Sequence, residues 1–180
     1  MAGLVGVMAL VVGCGGATKS APAAEPTSSV VATPVEDEPW DPCTIPNDAI
    51  EAAGLDVNSK STNLFGDAPL STDWMICAWR NPDPGSWYFL GVFSSDHDLA
   101  YLKGNDQFGE FTVVNGTGAV QFRRTANYDE VSCGVAYEVV GGIVYFILDG
   151  RASREPLGDP CVEVERVGSA LRPLLPPSNR

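Results

Sequence analysis

Apolar positions fall into three regimes along the chain. Met1 to Gly13 is apolar and uncharged, and Gly15 to Pro39 holds no aromatic residue, Leu or Ile. From Trp40 to about Pro176 the apolar residues recur with the periods of folded structure. In "WMICAWR" a period of two places Met75, Cys77 and Trp79 on one face, and in "VSCGVAYEVV" it does the same for Val131, Cys133, Val135, Tyr137 and Val139. "WYFLGVF" and "IVYFIL" are apolar at both parities and predict strands covered on both sides. "FTVVNGTGAVQFRR" and "YEVVGGIVYF" carry Asn-Gly and Gly-Gly turns suited to tight hairpins. A helix is predicted from Pro46 to Ala53, with apolar face Ala49, Ile50 and Ala53 and Gly54 just past its end. A short helix is predicted from Asp98 to Gly104, with Asp96 as cap. A terminal helix from Cys161 to about Leu174 aligns Cys161, Val164, Gly168, Leu171 and Leu175 at spacings of three and four, with Gly168 placed for close approach to a sheet. The sum is an α+β domain in the order α-β-β-α-β-β-β-α. Its antiparallel sheet of about five strands carries the N- and C-terminal helices packed on it.

These regimes divide the chain into four segments. Residues 1–13 form an apolar leader shorter than the roughly 20 residues that span a bilayer as a helix. Val11, Val12, Gly13 and Cys14 resemble a bacterial lipobox, with a small residue before a cysteine that closes an apolar run. That resemblance implies acylation of the Cys14 thiol, cleavage before Cys14, and a lipid anchor on the extracytoplasmic face of the cell membrane. No Lys or Arg precedes the apolar run, so the expected start lies upstream of Met1. Residues 14–39 read as the lipidated cysteine followed by a disordered Ala/Pro/Ser/Thr-rich tether, since such a composition buries too little apolar surface to fold. Residues 40–177 form the globular domain and residues 178–180 a tail.

Charge narrows the partners. With 23 acidic against 11 basic residues and a net charge of -12, the surface repels phosphate backbones and anionic headgroups, so no nucleic acid is expected. The domain's four cysteines are an even set in a chain expected to be exported, which predicts two disulfides. Cys43 and Cys161 each end an Asp-Pro-Cys tripeptide at a predicted helix start, while Cys77 and Cys133 point inward from strands. Strand-to-helix bridges are therefore favoured over Cys43 with Cys161 and Cys77 with Cys133. Between the two remaining sets, shorter loops favour Cys43 with Cys77 and Cys133 with Cys161. Structural zinc is the rival, but the chain has one histidine and no C-x-x-C.

A search for reactive constellations yields bland readings. His97 lies between Asp96 and Asp98, yet no Ser or Cys nucleophile sits in a recognisable motif with it. Asp96 and Asp98 with Asn105 or Asp106 lack the ordered oxygen spacing of a calcium loop. Glu163 with Glu165 and Asp129 with Glu130 are sequence neighbours, which rarely face one cleft as a glycosidase pair must. "NGTG" reads as a hairpin turn rather than a phosphate loop. Trp74, Trp79, Trp87 and Tyr88 are candidates to line an apolar pocket for a lipid or glycan, with core packing as the alternative. No catalytic residue, metal ligand or cofactor is assigned.

"WDPCTIPNDAIEAAGLD", "CAWRN", "SCGVAYEVVGG" and "DPCVEVERVGSALRPLLP" occur in that order and span nearly the whole mature domain. Together they resemble the actinobacterial lipoproteins of the domain-of-unknown-function 3558 family. The resemblance implies an acylated envelope protein of mycobacteria, nocardiae or their relatives and no particular reaction. The function expected is a membrane-anchored lipoprotein, a binding or adaptor module whose partner is an envelope protein, lipid or glycan. A lipid or glycan carrier is the alternative, and an envelope hydrolase a further one.

Overall fold

Apolar residues at both parities of consecutive strands require a sheet covered on both faces, and the chain builds one. The computed structural model describes residues 38–63, 73–82, 84–125 and 130–178. Its strands are β1 (Asp56–Ser61), β2 (Met75–Arg80), β3 (Tyr88–Ser95), β4 (Phe108–Val114), β5 (Ala119–Arg124), β6 (Ser132–Val139) and β7 (Gly142–Gly150). They form one sheet of seven strands in the order β1-β2-β3-β7-β6-β5-β4. Every neighbouring pair is antiparallel. The topology is two meanders, β1–β3 and β4–β7, whose last strands pair from Tyr88↔Gly150 to Ser95↔Ile143. The helices are α1 (Asn47–Ala52), α2 (Leu99–Gly104) and α3 (Pro160–Leu171).

The strand count corrects the expectation of about five. β1 reads Asp-Val-Asn-Ser-Lys-Ser, with one apolar residue and no period of two, because it is an edge strand held by irregular pairing with β2. Its Ser59 hydroxyl accepts the Arg80 N–H at 2.8 Å. After α2 there are four strands rather than three, since each glycine-containing turn separates two complete strands. Met75, expected on the inward face, is 39% exposed, so the buried row begins at Cys77.

Helix boundaries also move, each for a local reason. α1 starts at Asn47, with Pro46 as its extended N-cap. The cap of α2 is Asp98 and not Asp96, because only the residue directly before the first turn can reach its N–H groups, and the Asp98 carboxylate accepts from Tyr101 N at 2.8 Å. Regular α3 ends at Leu171 and tightens into a 3-10 turn over Arg172–Leu174, since Pro173 has no N–H to continue the ladder. Cys43 sits in a separate 3-10 turn, Pro42–Thr44, ahead of α1.

Two clusters form the core. The first joins Ile45, Ile50 and Leu55 to Cys77, Trp79, Val92, Val135, Phe146 and Leu148 of the strands, and to Val164, Val167 and Leu171 of α3. These three α3 residues are fully buried and contribute on the order of 1.5–3 kcal/mol each. A Cβ at Gly168 would meet Val135 Cγ1 at 3.0 Å and the Tyr137 hydroxyl at 3.2 Å, which explains the close approach of α3 to β6. The second cluster comprises Ile76, Phe93, Leu102, Phe108, Phe122, Ala136, Ile143, Tyr145 and Ile147. These strand residues have the opposite parity to the first set and occupy the other face of the sheet, with Leu102 supplied by α2.

Candidate functional site

Both Asp-Pro-Cys tripeptides adopt the same local form. Asp41 accepts the Cys43 N–H at 2.8 Å and Asp159 accepts the Cys161 N–H at 2.7 Å, with proline in the first turn where a missing N–H costs nothing. Each tripeptide therefore presents a cysteine from the start of a helical turn towards a strand. Cys43 is bridged to Cys77, with Cα atoms 5.1 Å apart, and Cys133 to Cys161, with Cα atoms 5.0 Å apart. These are the pairs favoured on loop length. Cys14 lies outside the described residues.

A polar cluster that motif reasoning missed locks α3 to the rest of the first face. Glu163 Oε1 accepts from the Tyr88 hydroxyl at 2.9 Å and from Arg166 Nη2 at 2.7 Å, and its Oε2 accepts from Arg166 Nε at 3.0 Å. Arg166 Nη2 also donates to the Ala53 carbonyl at 3.0 Å, which ties down the end of α1. Hydrogen bonding from the Arg166 guanidinium holds the Glu163 carboxyl below the usual carboxylate range. Burial, reinforced by the hydrogen bond to Glu163, pushes the Tyr88 hydroxyl up. The only sequence signal was the i,i+3 spacing of Glu163 and Arg166.

The second face holds an aromatic assembly. Phe93 stacks on its cross-strand partner Tyr145 with centroids 4.5 Å apart, and Trp74 meets Tyr145 edge-on at 5.2 Å. His97 stacks on Tyr101 at 3.7 Å, and Trp74 lies 5.8 Å from His97. Beside this assembly opens a cleft of about 180 Å³ whose lining includes Trp74, Phe93, Tyr101, Asn105, Gln107 and Tyr145. Arg124, also in the lining, is fixed by two hydrogen bonds to Asp149, at 2.9 and 3.0 Å, and lies over the Phe108 ring at 5.6 Å. Ser132 donates a further hydrogen bond to Asp149 at 2.7 Å. Burial pushes the Tyr145 hydroxyl well above its ordinary range.

The four aromatics singled out in the sequence are divided between the two faces. Trp79, Trp87 and Tyr88 belong to the first cluster, where Trp87 and Tyr88 meet edge-on at 4.9 Å, while Trp74 packs against the second. Two of the acids weighed for chemistry are engaged elsewhere: Asp98 caps α2, and Glu163 serves Arg166 and Tyr88; the Asn105 amide Oδ1 accepts from Gln107 N at 2.9 Å. Glu130 is exposed, and Asp129 lies outside the described residues. His97 Nδ1 is 3.9 Å from Asp96, and its Nε2 is buried without a hydrogen-bond partner. Among the described residues no three His, Cys, Asp or Glu side chains are grouped to hold a metal, and no helix is long and apolar enough to cross a membrane.

A family model described as "Protein of unknown function (DUF3558)" matches residues 9–173. No curated protein and no solved structure matches the chain.

Proposed function

The chain belongs to the DUF3558 family, and from that premise we propose that it is a lipid-anchored protein of an actinobacterial cell envelope whose globular part binds another envelope component. The observation that carries this reading is the disposition of the cysteines. All four in the folded part are bridged, which suits an oxidising compartment, and the fifth, Cys14, closes the apolar run in the lipobox pattern. Residues 1–13 then act as the export signal, and residues 14–39 link the acylated cysteine to the domain. The partner is an envelope protein, lipid or glycan.

Fractionation tests the anchor. In an actinobacterial host the wild-type chain should partition with membranes and carry the added mass of a diacylglyceryl group on a chain beginning at Cys14. Cys14→Ala should leave the protein in the medium or unprocessed. Unchanged mass and membrane partition in the variant would overturn the proposal. Crosslinking in the intact envelope, followed by identification of what is joined to the domain, tests the binding role.

A further inference from the structure

The cleft between α2 and the second face of the sheet combines two kinds of surface. Its walls are ring faces: Trp74 is half-buried, Tyr101 is exposed, and Phe93 lies behind them stacked on Tyr145. Its polar lining residues include Asn105, Gln107 and Tyr145, which are uncharged, and Arg124, whose charge is paired with Asp149. No Asp or Glu is among the lining residues. Resting on the reading of the protein as an envelope binding module, we propose that this cleft binds one neutral pyranose ring of an envelope glycan, with the apolar face of the sugar against Trp74 and its hydroxyls towards Tyr145, Asn105 and Gln107.

Three observations select this ligand. At about 180 Å³ the cleft falls below the roughly 300–1,000 Å³ of sites for drug-sized molecules, which suits a single ring. Tyr145 is 5% exposed, and its hydroxyl, which makes no hydrogen bond among the described residues, is not one of the side-chain polar atoms sealed from solvent. A sugar hydroxyl can replace water there, whereas an acyl chain covering it would leave it unsatisfied. Asn105, a lining residue, has its Oδ1 engaged by the Gln107 N–H, so the group its side chain can offer a ligand is the NH₂ donor. An acyl chain would strand these groups. An anionic ligand would meet an already neutralised Arg124 on a chain of net charge -12.

The test uses the full chain with its disulfides intact. One arm, in detergent, titrates the methyl pyranosides of glucose, mannose and galactose. In the other the chain is reconstituted, free of detergent, into phosphatidylcholine vesicles containing a graded fraction of a monoglycosyl diacylglycerol, with sugar-free vesicles as control. Tryptophan fluorescence and saturation-transfer NMR are the readouts. Saturable binding is expected, weakened at least tenfold by Trp74→Ala and about fivefold by Tyr145→Phe, which removes one hydrogen-bonding group and preserves ring packing. Val162→Ala, an exposed site on α3, should bind as wild type. Binding in the soluble arm identifies a free glycan as the source, and binding in the vesicle arm alone identifies a glycolipid headgroup. Absence of a saturable response in both arms, an equal response by Tyr145→Phe, or a tryptophan-fluorescence response as large in sugar-free vesicles as in glycolipid vesicles would overturn the proposal. The anchor is read separately by fractionation: a chain that is anchored but binds no pyranoside refutes only the cleft, and one that binds but is not anchored refutes only the anchor.

Discussion

Gly134→Ala should be among the most damaging single-methyl additions in this domain. Gly134 faces Phe122 across the β5–β6 pair, and the aromatic ring lies flat over the space a side chain would occupy. A Cβ there would stand 2.5 and 2.7 Å from the two Cε atoms of Phe122 and closer still to Cζ, against an ordinary carbon–carbon contact of about 3.5–4 Å. The ring must therefore retreat by roughly 1 Å, yet Phe122 is fully buried. It is flanked edge-on by Phe108 at 5.0 Å and Tyr145 at 5.7 Å, and lies 5.8 Å from Phe111. Overpacking a filled core costs about 1–3 kcal/mol, and the involvement of three further rings places the cost near 3 kcal/mol. For a domain of this size that is a fall in Tm on the order of 10 °C. Urea and thermal unfolding of the oxidised protein measure it directly. A double-mutant cycle with Phe122→Leu isolates the cause, since a shorter side chain frees the space and the pair should be at least about 1 kcal/mol more stable than the sum of the singles. A loss below about 0.5 kcal/mol for Gly134→Ala, or no coupling with Phe122→Leu, would refute the packing argument.

Other predictions concern the first face. Replacing Cys133 and Cys161 together by Ala should cost about 3.6 kcal/mol by loop entropy for a separation of 28 residues, and replacing Cys43 and Cys77 about 3.8 kcal/mol for 34. Urea unfolding under non-reducing conditions checks both, and a cost under about 1 kcal/mol would show that the bridges do little to restrict the unfolded chain. Because Arg166 holds the Glu163 carboxyl below its ordinary range, its contribution to stability is present above about pH 4.3 and is lost as pH falls through the folded-state pKa. Glu163→Gln should therefore flatten the decline in unfolding free energy between about pH 6 and 3, and an unchanged slope would remove Glu163 from the account. At the alkaline end the raised Tyr88 hydroxyl has the opposite sign: its contribution is present below about pH 10 and is lost as pH rises, and Tyr88→Phe should reduce the alkaline loss while leaving the share of Tyr145, whose hydroxyl is raised too.

Sequence pattern sufficed for β2, β3, β6 and β7 because their burial is decided by their own residues. β1 was invisible because its place is decided by a partner: Val57 alone is apolar, and the strand exists through its pairing with β2. The Asp-Pro-Cys repeat was legible as a capped helical start, since Asp and Pro act on their immediate neighbours, but the interruption at Pro46 separated Cys43 from α1. The aromatic candidates were chosen by type when parity was the better guide. Trp74 has the parity of Ile76, whereas Cys77 and Trp79 share the other, so Trp74 and Trp79 belong on opposite faces. The rest of the cleft had no sequence signal. Tyr145 reaches Phe93 only through the β3–β7 pairing, which joins strands separated by α2 and three others.

The two faces of the sheet are closed by different means. On the first, α1 and α3 cover the strands, both disulfides join an inward strand cysteine to a helical turn, and Arg166 links α3 to the end of α1. On the second, the helical cover is α2, six residues long, and the aromatic rings pack chiefly on one another. A covalently fixed first face sets the positions of β2, β3, β6 and β7 from one side. The other side can then leave Trp74 and Tyr101 partly open without losing register, since the strands that carry Phe93 and Tyr145 are held from behind. Concentrating the bridges and the longest helix on one face thus suits the ligand cleft proposed for the opposite face.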